Sequence, residues 1–179
     1  MTRKNVWLAS AVLVAGAVAA AALRRKSYAP LAVAPTVDLS RYMGEWYEIA
    51  RFSESFEKDC YGTKAHYTLR EDGSVDVVNT CHKGAPDGAL KTARGRATVP
   101  DPHMPAKLEV QFFWPFKGDY WILDVDDAYE YALVGEPSRD SLWILSRRPS
   151  IDLTALQLLT AKAQELGFDT DRLLYTQQQ

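Results

Sequence analysis

From Trp46 onward, apolar and β-branched residues come in short runs that are separated by turn residues such as glycine, proline and aspartate. Residues 107–112 show the clearest pattern, since apolar and polar side chains alternate there as they do in a half-buried strand. Asp72-Gly73 separates two of these runs and is typical of a tight hairpin turn. The pattern predicts eight strands, at residues 46–52, 61–69, 75–80, 91–99, 107–112, 120–125, 129–135 and 142–147.

The predicted fold class is all-β, an eight-stranded antiparallel up-and-down barrel. Short connections favour this arrangement, and closing the sheet leaves no edge exposed. An amphipathic helix is predicted after Pro149-Ser150, to end before Gly167 and to pack against the outside of the barrel. Its apolar face comprises Ile151, Leu156, Leu159, Ala163 and Leu166. Residues 172–176 are expected to add a short final strand.

One segment, residues 38–52, is expected to form the closed end of the barrel. A short helical turn at residues 39–42 precedes the first strand. Gly44 lets the backbone pass close beneath the neighbouring strands. Trp46 supplies a large apolar ring to cover this end, and its N–H needs a partner once it is buried. We therefore predict a floor built around one indole.

Residues 1–26 are predicted to be a leader outside the fold. Residues 6–23 are 18 residues without a charge, about 27 Å long as a helix, against a hydrocarbon core of roughly 30 Å. Basic residues precede this run, as they do in a secretory signal peptide. However, Arg24, Arg25 and Lys26 directly after it are unsuited to cleavage. A cleaved signal peptide and an N-terminal membrane anchor, which would make the membrane a partner, both remain open.

Without the leader the chain is acidic. Five of the 21 Lys and Arg residues lie in residues 1–26, so 16 remain against 23 Asp and Glu, a net charge of −7. Nucleic acids and anionic membrane surfaces favour clustered positive charge, so no nucleic-acid partner is expected. Residues 27–36, with two prolines, are typical of an extended tether to a single domain at residues 37–179.

Several motifs, taken in order, resemble those of the lipocalin family, and most of all the bacterial lipocalins of the outer-membrane lipoprotein type. The resemblance covers nearly all of residues 37–178. The motifs are GEWYEIARF at 44–52, YTL at 67–69 with DG at 72–73, FFWPF at 112–116, YALV at 131–134, LWILSR at 142–147 with Pro149, and GFD at 167–169. In that family the arginine of the last strand lies across the tryptophan of the first strand. This implies that Arg147 stacks on Trp46, a contact worth roughly 0.5 to 2 kcal/mol.

The resemblance implies a cavity that binds a lipid or another amphiphilic small molecule, as a fatty acid or lysophospholipid carrier, without catalysis and without a cofactor. The residues predicted to line it are Tyr67, Val77, Leu108, Val110, Phe112, Tyr120, Ile122, Tyr131 and Leu133. Aromatic rings fill space there and can present a hydroxyl at the edge of an apolar site. An enzyme that acts on a lipid-like substrate in the same cavity, and a scaffold that binds no ligand, are the alternatives.

The similar bacterial proteins carry a lipobox cysteine, whose acylation tethers them to the outer membrane. This chain has none, since its two cysteines, Cys60 and Cys81, lie far from the leader. The predicted location is therefore the bacterial cell envelope, on the periplasmic side, either anchored by the leader or free after cleavage. The chain is expected to be a monomer or a homodimer.

The candidates for metal or catalytic chemistry are weak. The three histidines, His66, His82 and His103, lack metal-like spacing. Asp124, Asp126 and Asp127 are interpreted as part of a turn, because the glycine and glutamate of a calcium loop are absent. No Gly-rich phosphate loop or GxSxG motif is present. No metal site and no enzymatic activity are predicted.

The two cysteines are expected to form a disulfide, since the chain is predicted to be exported. If Asp72-Gly73 forms a two-residue turn, Cys81 faces Lys64 and Cys60 lies about 13 Å further along the strand. That distance exceeds the roughly 7 Å that a disulfide permits between Cα atoms. A bond would therefore require a β-bulge, or Cys60 in a loop that folds back; free buried thiols are the alternative.

Overall fold

A computed structural model describes residues 27–53 and 59–178 of the chain. Within these residues, eight antiparallel strands pair in sequence order, and β1 also pairs with β8, which closes the sheet into a barrel. The strands are β1 (Gly44–Arg51), β2 (Cys60–Leu69), β3 (Val75–Lys83), β4 (Ala89–Thr98), β5 (Lys107–Phe113), β6 (Phe116–Val125), β7 (Tyr131–Gly135) and β8 (Leu142–Ser146). The predicted eight-stranded barrel is confirmed. The predicted leader lies outside the described residues.

Two helices flank the barrel, and an aspartate caps each of them. Asp38 accepts hydrogen bonds from backbone N–H groups at the start of α1 (Leu39–Tyr42), and Asp152 does the same for α2 (Leu153–Glu165). The cap of α2 therefore lies two residues after the predicted Pro149-Ser150. Gly167, at a φ of +87°, follows the helix. As predicted, α2 packs on the outer face of the barrel, through Leu159 and Ala163.

The connections between strands alternate between the two ends of the barrel. One end, which we call the floor, holds α1, the start of β1 and the β2–β3, β4–β5 and β6–β7 connections. The other end, which we call the mouth, holds the β3–β4, β5–β6 and β7–β8 connections, at residues 84–88, 114–115 and 136–141.

The hairpin between β2 and β3 differs from the two-residue turn of the sequence prediction. Leu69 opposes Val75, and the backbone N–H of Arg70 donates to the carbonyl of Ser74 at 2.8 Å. Three residues, 71–73, therefore form the loop, with Gly73 at a φ of +78°. The pairing is consequently shifted by one residue from the predicted register.

A β-bulge brings the two cysteines together. The register of β2 against β3 shifts between Tyr61 and Lys64, where Gly62 has a φ of +59°. The extra residue moves Cys60 toward Cys81, so that their Cα atoms are 5.4 Å apart and a disulfide joins them. The predicted disulfide is confirmed, and of the two arrangements that the sequence allowed, a bulge or a loop that folds back, the structure has the bulge.

The C-terminal segment fills the space where β1 and β2 separate. A short strand, β9 (Leu174–Tyr175), pairs with β1, which agrees with the predicted final strand. Beyond it, the side-chain amide of Gln178 donates to the carbonyls of Glu48 at 2.6 Å and Thr63 at 3.0 Å. The C-terminus therefore joins the wall of the barrel beside its interior.

Candidate functional site

The floor is built around Trp46, whose side chain is fully buried. Its indole N–H donates to the carbonyl of Tyr42 at 2.8 Å. The guanidinium of Arg147 lies over the indole, with its carbon 3.9 Å from the ring centroid. Arg147 also donates to the backbone carbonyls of Glu45 and Arg41, both at 2.8 Å. The indole and the guanidinium therefore tie α1, β1 and the end of β8 together.

Gly44 and Tyr129 complete the floor. Gly44 has a φ of +93°, and a Cβ there would lie 3.4 Å from the guanidinium of Arg147, so a side chain at this position would be strained. The hydroxyl of Tyr129 accepts a hydrogen bond from the backbone N–H of Asp38 at 2.7 Å. A second arginine, Arg41, lies 4.2 Å from the centroid of the Tyr129 ring. The structure thus brings together the three residues predicted for the floor, which are Gly44, Trp46 and Arg147.

Above the floor the barrel encloses a cavity of about 400 Å³. This volume falls within the range of small-molecule sites in proteins. Most of its wall is apolar, and the β5–β6 part presents Leu108, Val110 and Phe112. The cavity therefore suits an apolar ligand that is shielded from water.

Six of the nine predicted wall residues line this cavity: Tyr67, Val77, Leu108, Val110, Phe112 and Tyr120. Ile122 lies inside the barrel among other buried residues but not in the cavity wall. Tyr131 and Leu133 lie instead in the cluster between the barrel and α2, so the prediction that they face the cavity is wrong. The inward residues of β7 are Ala132 and Val134. Both faces of this strand are covered, which removes the polar alternation that would have revealed its orientation.

The structure adds wall residues that the sequence prediction missed. They include Tyr42, Thr63, Ala65, Val75, Asn79, Ala97, Phe116, Trp143 and Leu145. Several follow from the period of two, since Ala65 lies two residues from Tyr67, and Val75 and Asn79 flank Val77. Those positions were therefore recoverable from residues already assigned to the wall.

Three tyrosine hydroxyls form a polar cluster inside the barrel. The hydroxyl oxygen of Tyr120 lies 2.9 Å from that of Tyr42 and 2.9 Å from that of Tyr67, and a hydrogen bond joins each pair. Burial raises the pKa of Tyr42 and of Tyr120 well above the ordinary value, and repulsion between neighbouring phenolates adds to the effect. Tyr42 and Tyr120 are therefore neutral at physiological pH, and the cluster offers hydroxyl groups to the cavity.

A buried carboxylate also lies in the wall. Glu48 is 3% exposed, and its Oε1 lies 3.1 Å from Nε of Arg51. The hydroxyl of Thr176 donates to the same carboxylate oxygen. The charge of Glu48 is thus compensated within the protein, which a buried carboxylate requires.

Aromatic side chains are exposed at the mouth. Phe113, Trp114 and Phe116, at the tip of the β5–β6 hairpin, are 78%, 86% and 76% exposed. Phe113 and Phe116 also line the cavity, so the exposed tip continues into the interior. An apolar molecule that enters from this end meets apolar surface before it reaches the interior.

Across the described residues, no group of three or more His, Cys, Asp or Glu side chains is arranged to hold a metal ion. Within residues 27–53 and 59–178, no helix is both long enough and apolar enough to cross a membrane.

A closed eight-stranded barrel with a helix outside and one internal cavity defines the lipocalin class of proteins. The family model for the lipocalin-like domain matches residues 37–178, and the chain belongs to this family. Membership implies the binding or transport of small hydrophobic molecules.

Relatives come from several kingdoms. The outer membrane lipoprotein Blc of Vibrio cholerae is 39% identical over 84% of this chain and 89% of its own length. The Blc protein of Escherichia coli K12 is 42% identical over 79% of both chains. Mouse apolipoprotein D is 37% identical over 79% of this chain and 77% of its own length. The similarity to bacterial outer membrane lipoproteins supports a location in the cell envelope.

Solved structures agree on the fold. Insecticyanin from the tobacco hornworm matches with a TM-score of 0.66 and 18% identity, over 84% of this chain and 85% of its own. Apocrustacyanin C1 matches with a TM-score of 0.64 and 20% identity, over 79% and 80% of the two chains. At these identities the likeness concerns the barrel alone.

Proposed function

We propose that this protein binds and carries fatty acids or lysophospholipids in the bacterial cell envelope and is not an enzyme. The observation that carries the proposal is the enclosed, mostly apolar cavity of about 400 Å³ that opens beside exposed aromatic residues. Burial of a twelve-carbon chain gives about 9 to 10 kcal/mol at roughly 0.8 kcal/mol per methylene, before ordering costs. That gain supports micromolar or tighter binding.

The similarity to outer membrane lipoproteins supports the envelope, and the sequence of the leader favours a finer location. The barrel would lie on the periplasmic side, held by residues 1–26 or released after their cleavage. The mass of the protein recovered from its native membrane fraction tests this, since an intact leader adds 26 residues to the chain.

Lipid extraction tests the proposed function. The full chain is purified from cells that produce it, and bound lipid is extracted and identified by mass spectrometry. Intact lipid at near-stoichiometric amounts is expected. Chemical conversion of an added lipid would favour an enzyme instead, and an empty barrel that binds no added lipid would favour a scaffold.

A substitution in the wall provides a second test. Leu108 is buried in the cavity wall, and Leu108→Trp is expected to lower lipid affinity at least about tenfold by filling the space. The stability change should stay below about 1.5 kcal/mol, because the cavity has room for the larger ring. Displacement of a fluorescent fatty acid measures the affinity, and Leu90→Trp at an exposed position of β4 is the matched control. Unchanged affinity in Leu108→Trp would show that ligand does not occupy this cavity.

A further inference from the structure

Two buried polar atoms in the cavity wall have no hydrogen-bond partner among the described residues. They are the hydroxyl oxygen of Thr63 on β2 and the side-chain oxygen of Asn79 on β3. Both residues line the cavity, and Thr63 is only 6% exposed. Buried polar groups are nearly always paired in folded proteins, because an unpaired one loses its bond to water and gains nothing. A bound molecule that supplies the missing partner therefore gains affinity.

The strand register places the two residues on one side of the cavity. Asn79 lies directly opposite Ala65, and Val77 lies opposite Tyr67. Thr63 lies on β2 two residues from Ala65, toward the mouth. Both groups therefore lie between the tyrosine cluster and the mouth, part of the way along the cavity. The part of the wall that β5 contributes is apolar at the same time, with Leu108, Val110 and Phe112.

The electrostatics of this region favour a neutral partner. Thr63 and Asn79 carry no charge. Glu48, whose backbone carbonyl accepts from the same Gln178 amide as that of Thr63, is compensated by Arg51 at 3.1 Å. An ionised carboxylate of a ligand would lose its hydration here, and the two lysines that line the cavity, Lys64 and Lys117, already have carboxylate partners at 3.7 Å and 3.0 Å.

Hydrogen-bond chemistry further restricts which chemical group of a ligand can pair with Thr63 and Asn79. The side-chain oxygen of Asn79 accepts and does not donate, so its partner must carry a donor hydrogen. The hydroxyl of Thr63 can both donate and accept. A hydroxyl group meets both requirements, because it can donate to Asn79 and accept from Thr63. A ketone or an ester carbonyl has no hydrogen to donate and leaves the side-chain oxygen of Asn79 unpaired.

We propose that Thr63 and Asn79 form a subsite for a hydroxyl group carried part of the way along the hydrocarbon chain of the ligand. The subsite makes the protein prefer a hydroxylated acyl chain to a plain chain of equal length. The inference rests on the proposed function, which puts an acyl chain in this cavity, and adds the ligand class that the wall selects.

Competition with a bound fluorescent fatty acid tests the subsite. The full chain, purified and freed of lipid, is titrated with stearic acid and with a series of hydroxystearic acids whose hydroxyl lies at different carbons. At least one member of the series is expected to bind about five to ten times more tightly than stearic acid, since a buried hydrogen bond contributes on that scale. The preferred carbon reports the depth of the subsite.

Two variants assign the preference to the named residues. Thr63→Val keeps the shape of the side chain and removes the hydroxyl, and Asn79→Leu removes the amide. Each is expected to bring the ratio of the affinities for the preferred hydroxystearic acid and for stearic acid to about one. Thr92→Val, at an exposed position of β4, is the matched control and should keep the preference.

The outcomes separate the subsite from the function on which it rests. Equal affinity of the wild-type protein for stearic acid and every hydroxystearic acid overturns the subsite and leaves the carrier function intact. An equal loss of affinity for both ligand types in Thr63→Val and Asn79→Leu also overturns it. The two residues would then only maintain the shape of the cavity wall. Failure of all these acids to displace the probe contradicts the carrier function and the subsite together.

Discussion

The two ends of the barrel use tryptophan in opposite ways. At the floor, Trp46 is fully buried, and at the mouth, Trp114 is 86% exposed. The first indole has a hydrogen bond from its N–H to Tyr42 and the guanidinium of Arg147 across its face. The second lies at the tip of a hairpin, between Phe113 and Phe116, which are exposed as well. Burial of apolar area stabilises the floor, whereas the apolar side chains at the mouth remain exposed to solvent.

This contrast assigns the stability of the fold to the floor and the access of a ligand to the cavity to the mouth. A closed carrier needs one end that stays shut, and the floor meets this need with contacts that join α1, β1 and β8. It also needs one end through which a ligand can pass, and an aromatic tip that contributes little to folding can serve that end. Removal of the tryptophan side chain at each end tests this comparison most directly.

The largest effect is expected from Trp46→Ala. The substitution leaves a large cavity at the floor and removes the surface on which Arg147 lies, so the free energy of unfolding should fall by about 3 to 5 kcal/mol. Urea denaturation measures the change. Trp46→Phe keeps an aromatic ring and is the control, with a smaller loss expected. A loss below about 1 kcal/mol for Trp46→Ala would show that the floor is not held by its indole.

An intermediate effect is expected from alkaline pH, because it acts on the buried tyrosines close to the floor. The pKa of Tyr42 and of Tyr120 is raised well above 10.0 by burial, whereas in the unfolded chain tyrosine ionises near pH 10. The folded state therefore holds more protons above that pH, and linkage requires stability to fall as the pH rises. Below pH 10 the stabilisation is fully present. The free energy of unfolding, measured by urea denaturation at several pH values, should decline above about pH 10.

The matched variants for this titration are Tyr42→Phe and Tyr175→Phe. Tyr42→Phe removes one of the buried phenols and should reduce the slope of stability against pH above 10. Tyr175 is 64% exposed, so its replacement should leave the slope unchanged. The same slope in Tyr42→Phe as in the wild type would contradict the assignment of the pH effect to this cluster.

Most of the barrel could be predicted from the sequence, because turn residues and period-two runs mark its strands. The cavity wall was predicted well only where one face of a strand is polar. On β5, Glu109 and Gln111 face away from Leu108 and Val110, so the alternation gives the inward side directly. On β7 the residues of both faces are apolar, since α2 covers the outer one, and Tyr131 and Leu133 were assigned to the wrong face.

Register and bulges were harder to predict. The loop after β2 has three residues where Asp72-Gly73 suggested two, and a bulge at Gly62 moves Cys60 toward Cys81. Bulges depend on the balance of many backbone contacts and leave only a glycine as a sequence mark. Thr63 lies next to this bulge, and it still follows the period of two from Tyr67 and Ala65.

The smallest effect is expected from Trp114→Ser at the mouth. The indole is 86% exposed, so the folded state loses little buried area and the free energy of unfolding should change by no more than about 0.5 kcal/mol. Urea denaturation beside Trp46→Ala measures the change, and the double variant should show the sum of the two effects, because residues at opposite ends share no partner. A loss above about 1 kcal/mol, or a double variant that departs from the sum by more than that, would mean that the tip is packed in the folded protein. The mouth would then contribute to folding as the floor does, and access to the cavity would require its contacts to break.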